Sequence, residues 1–182
     1  MQSLVFLIAV LLSLLSSAFG NKVIFINKDS VPRTICWYPA AVPGSDPAHP
    51  IYFPKIPGTY VPAFGHGETP GIVHGGSYMF KSIYLGGDCS NMNNVEGEFT
   101  FNGHEGKTWF NLSAVKSYER GLGDQHSQIH FFRVAAGLYP QAGCSSFPCD
   151  NLYKFHNDDT HTLNTEQSEL TAIIFNGSCN AD

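Results

Sequence analysis

An all-β sandwich with long loops, closed by disulfides, is the fold this chain predicts, and three observations predict it. Apolar and aromatic residues gather in short runs bounded by Gly, Pro, Asn and Asp, the pattern of strands. Eighteen Gly and 11 Pro punctuate the 182 residues, while 14 Phe and 8 Tyr supply the bulk of a core. Five cysteines follow a segment that reads as an export signal, so they are expected to oxidise. One domain fits the length.

Taken in order, residues 5–15 form a nearly unbroken apolar run followed by Ser16, Ser17, Ala18, Phe19 and Gly20. About a dozen apolar residues fall short of the roughly 20 that cross a bilayer. They match the apolar core of a secretory signal, with Ala18 and Gly20 as the small residues of a cleavage site. Residues 1–20 are expected to be a signal peptide and 21–182 a single mature domain. That domain is expected outside the cell or in the cell wall, without membrane insertion.

Residues 22–27 are β-branched and aromatic, stop at Asp29-Ser30-Val31-Pro32, and are followed by a second strand pattern at 33–38. The two are expected to pair as a hairpin. From 39 to 77 Pro recurs eight times among scattered Gly and His. Proline has no N–H for a ladder, so this stretch is loop with short edge strands. Strand patterns resume at 78–85, 95–101 and 107–112. Phe99 and Phe101 alternate onto one face, Glu98 and Thr100 onto the other. Asn102-Gly103 turns the chain toward Thr108-Trp109-Phe110, which predicts a hairpin. Residues 129–136 fit a strand or a short helix, and 151–155 and 170–175 complete the strands.

Ten Lys and Arg against 15 Asp and Glu give a net charge of −5, so no basic face exists to displace counterions and nucleic acid is not expected as a partner. No nucleophile elbow, phosphate loop, dinucleotide fingerprint or zinc-ligand spacing occurs, and no cofactor, metal or catalytic residue is assigned. Glu96 and Glu98 alternate onto one strand face, where two carboxylates can raise each other's pKa. Side by side they suit a binding surface better than glycoside hydrolysis, which needs two carboxyls facing across a sugar. The segment His156-Asn157-Asp158-Asp159-Thr160-His161 could hold a metal or an acid and a base; it is read as a solvated loop whose Asp residues cap backbone donors. His126 and His130, four apart but lacking the Glu of a metalloprotease motif, are read as surface histidines. Trp109, Tyr118 and Tyr153 are candidates for stacking on a ligand or for the core. Among Cys36, Cys89, Cys144, Cys149 and Cys179, the pair Cys144 and Cys149 is the easiest to close, the other pairings stay open, and one thiol is left over. Asn111-Leu-Ser113 and Asn176-Gly-Ser178 are glycosylation sequons.

Gly97-Glu98-Phe99-Thr100-Phe101-Asn102-Gly103, then Thr108-Trp109-Phe110-Asn111-Leu112-Ser113-Ala114-Val115, resembles the thaumatin-like superfamily. The closer resemblance is to the small secreted fungal thaumatin-like proteins of the antigenic, yeast-phase-specific type. Leu138-Tyr139-Pro140, Gly143-Cys144, Phe147-Pro148-Cys149-Asp150-Asn151, Tyr153 and Asp158-Asp159 match its second half, and Val23 to Asn27 with Arg33-Thr34-Ile35 its first hairpin. The resemblance implies a thaumatin-like antiparallel β-sandwich, secretion, and binding to carbohydrate or a cell surface. Glu98 matches the Glu of the acidic cleft that larger members use on β-1,3-glucan, and Asp158 and Asp159 match an Asp pair. Asn111 stands where that pattern has Asp, removing a carboxylate and adding a sequon. The expectation is a monomeric, non-enzymatic binder of cell-wall polysaccharide or a cell-surface protein, of effector or antigen type. The alternative is a weak secreted hydrolase, either an endo-β-1,3-glucanase built on Glu98 or a metal-dependent nuclease built on the His/Asp loop.

Overall fold

The computed structural model describes residues 20–40, 46, 48–50, 52, 55–69, 76–90, 95–124, 127–158 and 160–176. The expected signal peptide (all but Gly20), His126, Asp159, Cys179 and the last two residues of the second sequon lie outside the described residues. In chain order the elements are β1 (Lys22–Asn27), β2 (Arg33–Pro39), β3 (Thr59–Val61), β4 (His66–Glu68), β5 (Ser77–Tyr84), β6 (Glu96–Thr100), β7 (Thr108–Ser113), α1 (Val115–Glu119), β8 (Ile129–Val134), β9 (Gln141–Gly143), β10 (Leu163–Thr165) and β11 (Glu169–Ile174). They form two sheets, one ordered β4-β1-β11-β8-β9 and one ordered β10-β7-β6-β5-β2-β3. The pairings are antiparallel except β1 with β11, which is parallel. The expected all-β sandwich is the architecture observed.

The core is aromatic because inward positions on six of the strands carry rings, while β11 between β1 and β8 contributes Leu170, Ala172 and Ile174. Phe25 from β1, Trp37 from β2, Phe80 from β5, Phe99 from β6, Phe110 from β7 and Phe132 from β8 are all buried. Phe132 packs edge-on at 5.2 Å from Phe80 and 5.4 Å from Phe110, so one ring of the five-stranded sheet locks into two of the other. Edge-to-face contacts of this kind add about 0.5–1.5 kcal/mol beyond the area each ring buries.

The β6–β7 hairpin forms as expected, with Glu98 opposite Asn111 and Phe99 opposite Phe110. Asn102 takes a positive φ of 51° at its turn, and a 3-10 turn at His104–Gly106 completes the connection. The Pro-rich stretch supplies β3 and β4, each at the edge of a sheet, in keeping with proline's missing donor. Residues 129–134 resolve as a strand.

Two expectations are corrected. Strands β1 and β2 do not pair: they belong to opposite sheets, and residues 28–32 carry the chain from one layer to the other. Asn27 holds that crossing by donating to the carbonyls of Val31 and Pro62 at 2.9 and 3.0 Å. Arg33, fully buried, pairs with Asp29 of the crossing and stacks 4.1 Å from the Tyr84 ring. Residues 151–155 form no strand. Only Tyr153 bridges Ser113; the chain before it closes the Cys144–Cys149 loop and the chain after it turns at Phe155, where Asp158 N donates to the carbonyl.

Cys144 and Cys149 are bonded as the local spacing suggested, and Cys36 is bonded to Cys89 across 53 positions. His130 is a further correction, since it is buried and not a surface residue. The His130 ring lies 4.9 Å from that of Phe147 in the Cys144–Cys149 loop, with Nδ1 3.1 Å from the Cys144 carbonyl. Burial pushes its pKa down, which favours the neutral ring.

Candidate functional site

Strand alternation sends Phe80, Phe99 and Phe110 into the core and leaves their neighbours on the outer face of the six-stranded sheet. Three cross-strand rows result. Tyr38, Met79, Glu98 and Asn111 form the middle row, Ser77, Thr100 and Trp109 one flank, and Cys36, Lys81, Glu96 and Ser113 the other.

At the Lys81 end the charges are enclosed. Glu96 is 3% exposed and Lys81 1%, with Nζ 2.9 Å from the carboxylate. Lys116, from the short helix α1, approaches the same carboxylate at 3.4 Å, so one buried acid is shared by two lysines. The Lys81 ammonium lies 5.4 Å from the Tyr38 ring, and the Tyr38 hydroxyl donates to the Cys89 carbonyl, tying the disulfide loop to this edge. Burial, helped by the charges of Glu96 and Asp88, raises the Tyr38 pKa.

The face carries a groove made of two adjoining concavities of about 350 Å³ each. Tyr38, Met79, Thr100 and Trp109 line the first; Glu96, Ser113, Lys116, Tyr153 and His156 line the second. Glu98, Asn111 and Thr162 belong to both and mark the junction. Trp109 is half-buried, its Nε1 donating to the His104 carbonyl at 3.0 Å. Glu98 is held above the ordinary carboxylate range mainly by burial, with the charge of Glu96 adding to it. A hydrogen bond from the Asn111 side chain and the charge of Lys116 act in the opposite direction.

That shift has a sign for stability. The folded chain binds the Glu98 proton more tightly than the unfolded chain, whose carboxyl titrates near 4.5. The stabilisation is therefore complete below that pH and is lost as pH rises through the folded value. Glu98→Gln, which keeps an acceptor for Asn111 and carries no charge, is expected to raise the Tm by about 2–4 °C at pH 7. The gain should shrink toward zero near pH 4; a Tm difference that does not change with pH would contradict this account.

The two glutamates share a face as the sequence indicated, yet they are unlike: Glu96 is neutralised and Glu98 is not ion-paired. Asp158 does not join them. It accepts from Thr160 N at 3.1 Å, Thr160 Oγ1 at 2.7 Å and His161 Nδ1 at 2.9 Å within its own turn, and those bonds to Thr160 lower its pKa. His156 lies 2.6 Å from Glu119. Among the described residues no group of three or more His, Cys, Asp or Glu is arranged to hold a metal. Tyr153 lines the groove, whereas Tyr118 lies against Phe155 and Lys154 outside it. Asn176 is exposed just beyond β11, and Asn111 sits inside the groove. Sequence reading missed Tyr38, Met79, Lys81 and Lys116. The signal for Lys81 was a single cation inside the apolar run 78–85.

No protein-family profile matches the chain. Over 157 residues it is 29% identical to the antigenic protein SchS21 of Stachybotrys chartarum, spanning 86% of this chain and 96% of that one. Its fold is similar to the crystal structure of the protein elicitor MoHrip2 from Magnaporthe oryzae, with a TM-score of 0.52 at 10% identity. That likeness covers 85% of this chain and 98% of the elicitor. Among the described residues no helix is long and apolar enough to cross a membrane.

Proposed function

We propose that this is a secreted, thaumatin-like recognition protein of antigen or elicitor type, without enzymatic activity. Its groove on the six-stranded sheet contacts a cell-wall polysaccharide or a cell-surface protein, and the chain acts as a monomer. One observation carries the reading: the groove joins a half-buried Trp109 and a single unpaired carboxylate, Glu98, while the second carboxylate is spent on two lysines. An aromatic ring beside hydrogen-bonding groups suits a sugar face or an interface anchor. Glycoside hydrolysis asks for two available carboxyls facing one another, and Glu96 is occupied. A nuclease centre on the His/Asp loop is disfavoured because Asp158 is consumed by its own turn and His156 by Glu119. Two disulfides fit the oxidising route that a signal peptide at 1–20 would provide. Similarity to an antigenic protein points the same way.

Sedimentation with intact cell walls, insoluble β-1,3-glucan, chitin and cell-surface protein extracts tests the proposal. The wild type should pellet with at least one of them, and Trp109→Ala should weaken that binding by about tenfold, or roughly 1.4 kcal/mol. Circular dichroism of the variant controls for folding. Release of reducing sugar or nucleotide that disappears in Glu98→Gln would overturn the non-enzymatic reading.

A further inference from the structure

At its junction the groove holds a carboxylate without an ion pair beside an amide oxygen without a donor. All ten Lys and Arg of the chain lie among the described residues, and none forms an ion pair with Glu98. Lys116, the cation that reaches the groove, pairs with Glu96 at 3.4 Å. Asn111, directly across the strand pair, gives its amide N–H to Glu98, and its amide oxygen is buried without a donor. A desolvated carboxylate beside an orphan carbonyl is a costly arrangement until donors arrive. Trp109 lies two residues from Asn111 on the same face of β7, about 7 Å along the strand, which is the scale of one pyranose ring.

We propose that the groove recognises a glycan carrying free amino groups, a glucosamine oligomer, with a sugar ring against Trp109 and its ammonium on Glu98. The inference rests on the recognition reading above and names its ligand class. An ammonium brings three N–H donors and a positive charge, enough for the carboxylate and, after a turn of the Asn111 side chain, for its oxygen. An N-acetylated sugar offers one neutral N–H and a bulky acetyl group at the same place. A plain glucan offers a hydroxyl and no charge. The aromatic and thioether wall formed by Tyr38, Met79 and Trp109 adds a surface on which a cation is tolerated.

Calorimetric titration of the full mature chain with glucosamine trimers, N-acetylglucosamine trimers, β-1,3-glucan trimers and a trilysine peptide tests the inference. The glucosamine trimer should bind about tenfold more tightly than either neutral trimer and than the peptide. Glu98→Gln should erase that preference and Trp109→Ala should weaken every sugar. Glu68→Gln, which removes an exposed carboxylate from the other sheet, should leave the preference intact. Equal affinity for the amine and acetamide sugars would overturn the amine and leave wall recognition standing. So would an equal loss in Glu68→Gln and Glu98→Gln, which signals attraction to net charge alone. Peptide binding as tight as the amino sugar would transfer the site to a protein ligand and also overturn the inference. No affinity for any trimer would overturn it as well, and cell-wall sedimentation would then show separately whether recognition survives.

Discussion

Lys81→Met is expected to cost about 3–5 kcal/mol of folding stability, because it strips the closer lysine from an almost wholly buried carboxylate. Glu96 is 3% exposed, and the remaining cation, Lys116, is half-exposed at 3.4 Å against 2.9 Å for Lys81. Lys116 softens the loss without abolishing it, so the lower end of that range is favoured. The double variant Lys81→Met/Glu96→Leu removes both charges from the enclosed end of the sheet. It should regain most of the lost stability, since an apolar pair of similar volume is often no worse than a buried ion pair. Urea unfolding of the wild type, the two single variants and the double closes the cycle. A single-variant cost below about 1 kcal/mol would show that Glu96 finds water or another donor, and the enclosed description of that end would be wrong.

The same ion pair marks where sequence reading stops. That Glu98 and Phe99 lie on opposite faces follows from a period of two, and the Asn102-Gly103 turn fixes which strand Glu98 meets. The Cys144–Cys149 bridge is legible because four intervening residues leave those cysteines little else to reach. Edge strands in the Pro-rich stretch are legible from proline chemistry. The pairing of Lys81 with Glu96 is not, because it needs the register of β5 on β6 across a long loop, and nothing local sets that register. The crossing between β1 and β2 misleads for a related reason. A short Asp-Ser-Val-Pro link suits a hairpin, yet β1 has an alternating buried face and finds both its neighbours, β4 and β11, far away in sequence. His130 is a burial that composition cannot announce, since it depends on the Cys144–Cys149 loop bringing Phe147 and the Cys144 carbonyl against its ring. In the candidate site, Glu98, Asn111, Trp109 and Tyr153 were visible as residue types. Their difference in charge compensation, which decides between cutting and binding, exists only once Lys81 and Lys116 are placed in space.

Gly97, set between the two glutamates, carries the other large expectation. A Cβ there would fall 2.2 Å from Cζ and 2.4 Å from Cε1 of Phe80, closer than side-chain carbons can approach. Phe80 has nowhere to go: its ring is fully buried, 5.1 Å from Phe25, 5.6 Å from Trp37 and 5.2 Å from Phe132. Gly97→Ala is therefore expected to cost about 3 kcal/mol, the upper part of the range for overpacking, and Gly97→Val to prevent folding. The compensating variant Gly97→Ala/Phe80→Leu, which shortens the obstructing side chain, should recover a substantial part of the loss in urea unfolding. It should also separate the glycine's two consequences. Because Glu96 and Glu98 flank this position on the outward side, any shift of β6 away from Phe80 moves the floor of the groove. Ligand affinity should thus fall in Gly97→Ala and return in the compensated variant along with stability. If Gly97→Ala proves neutral, the aromatic layer has slack, and the rigidity that holds Glu98 against Asn111 must come from elsewhere.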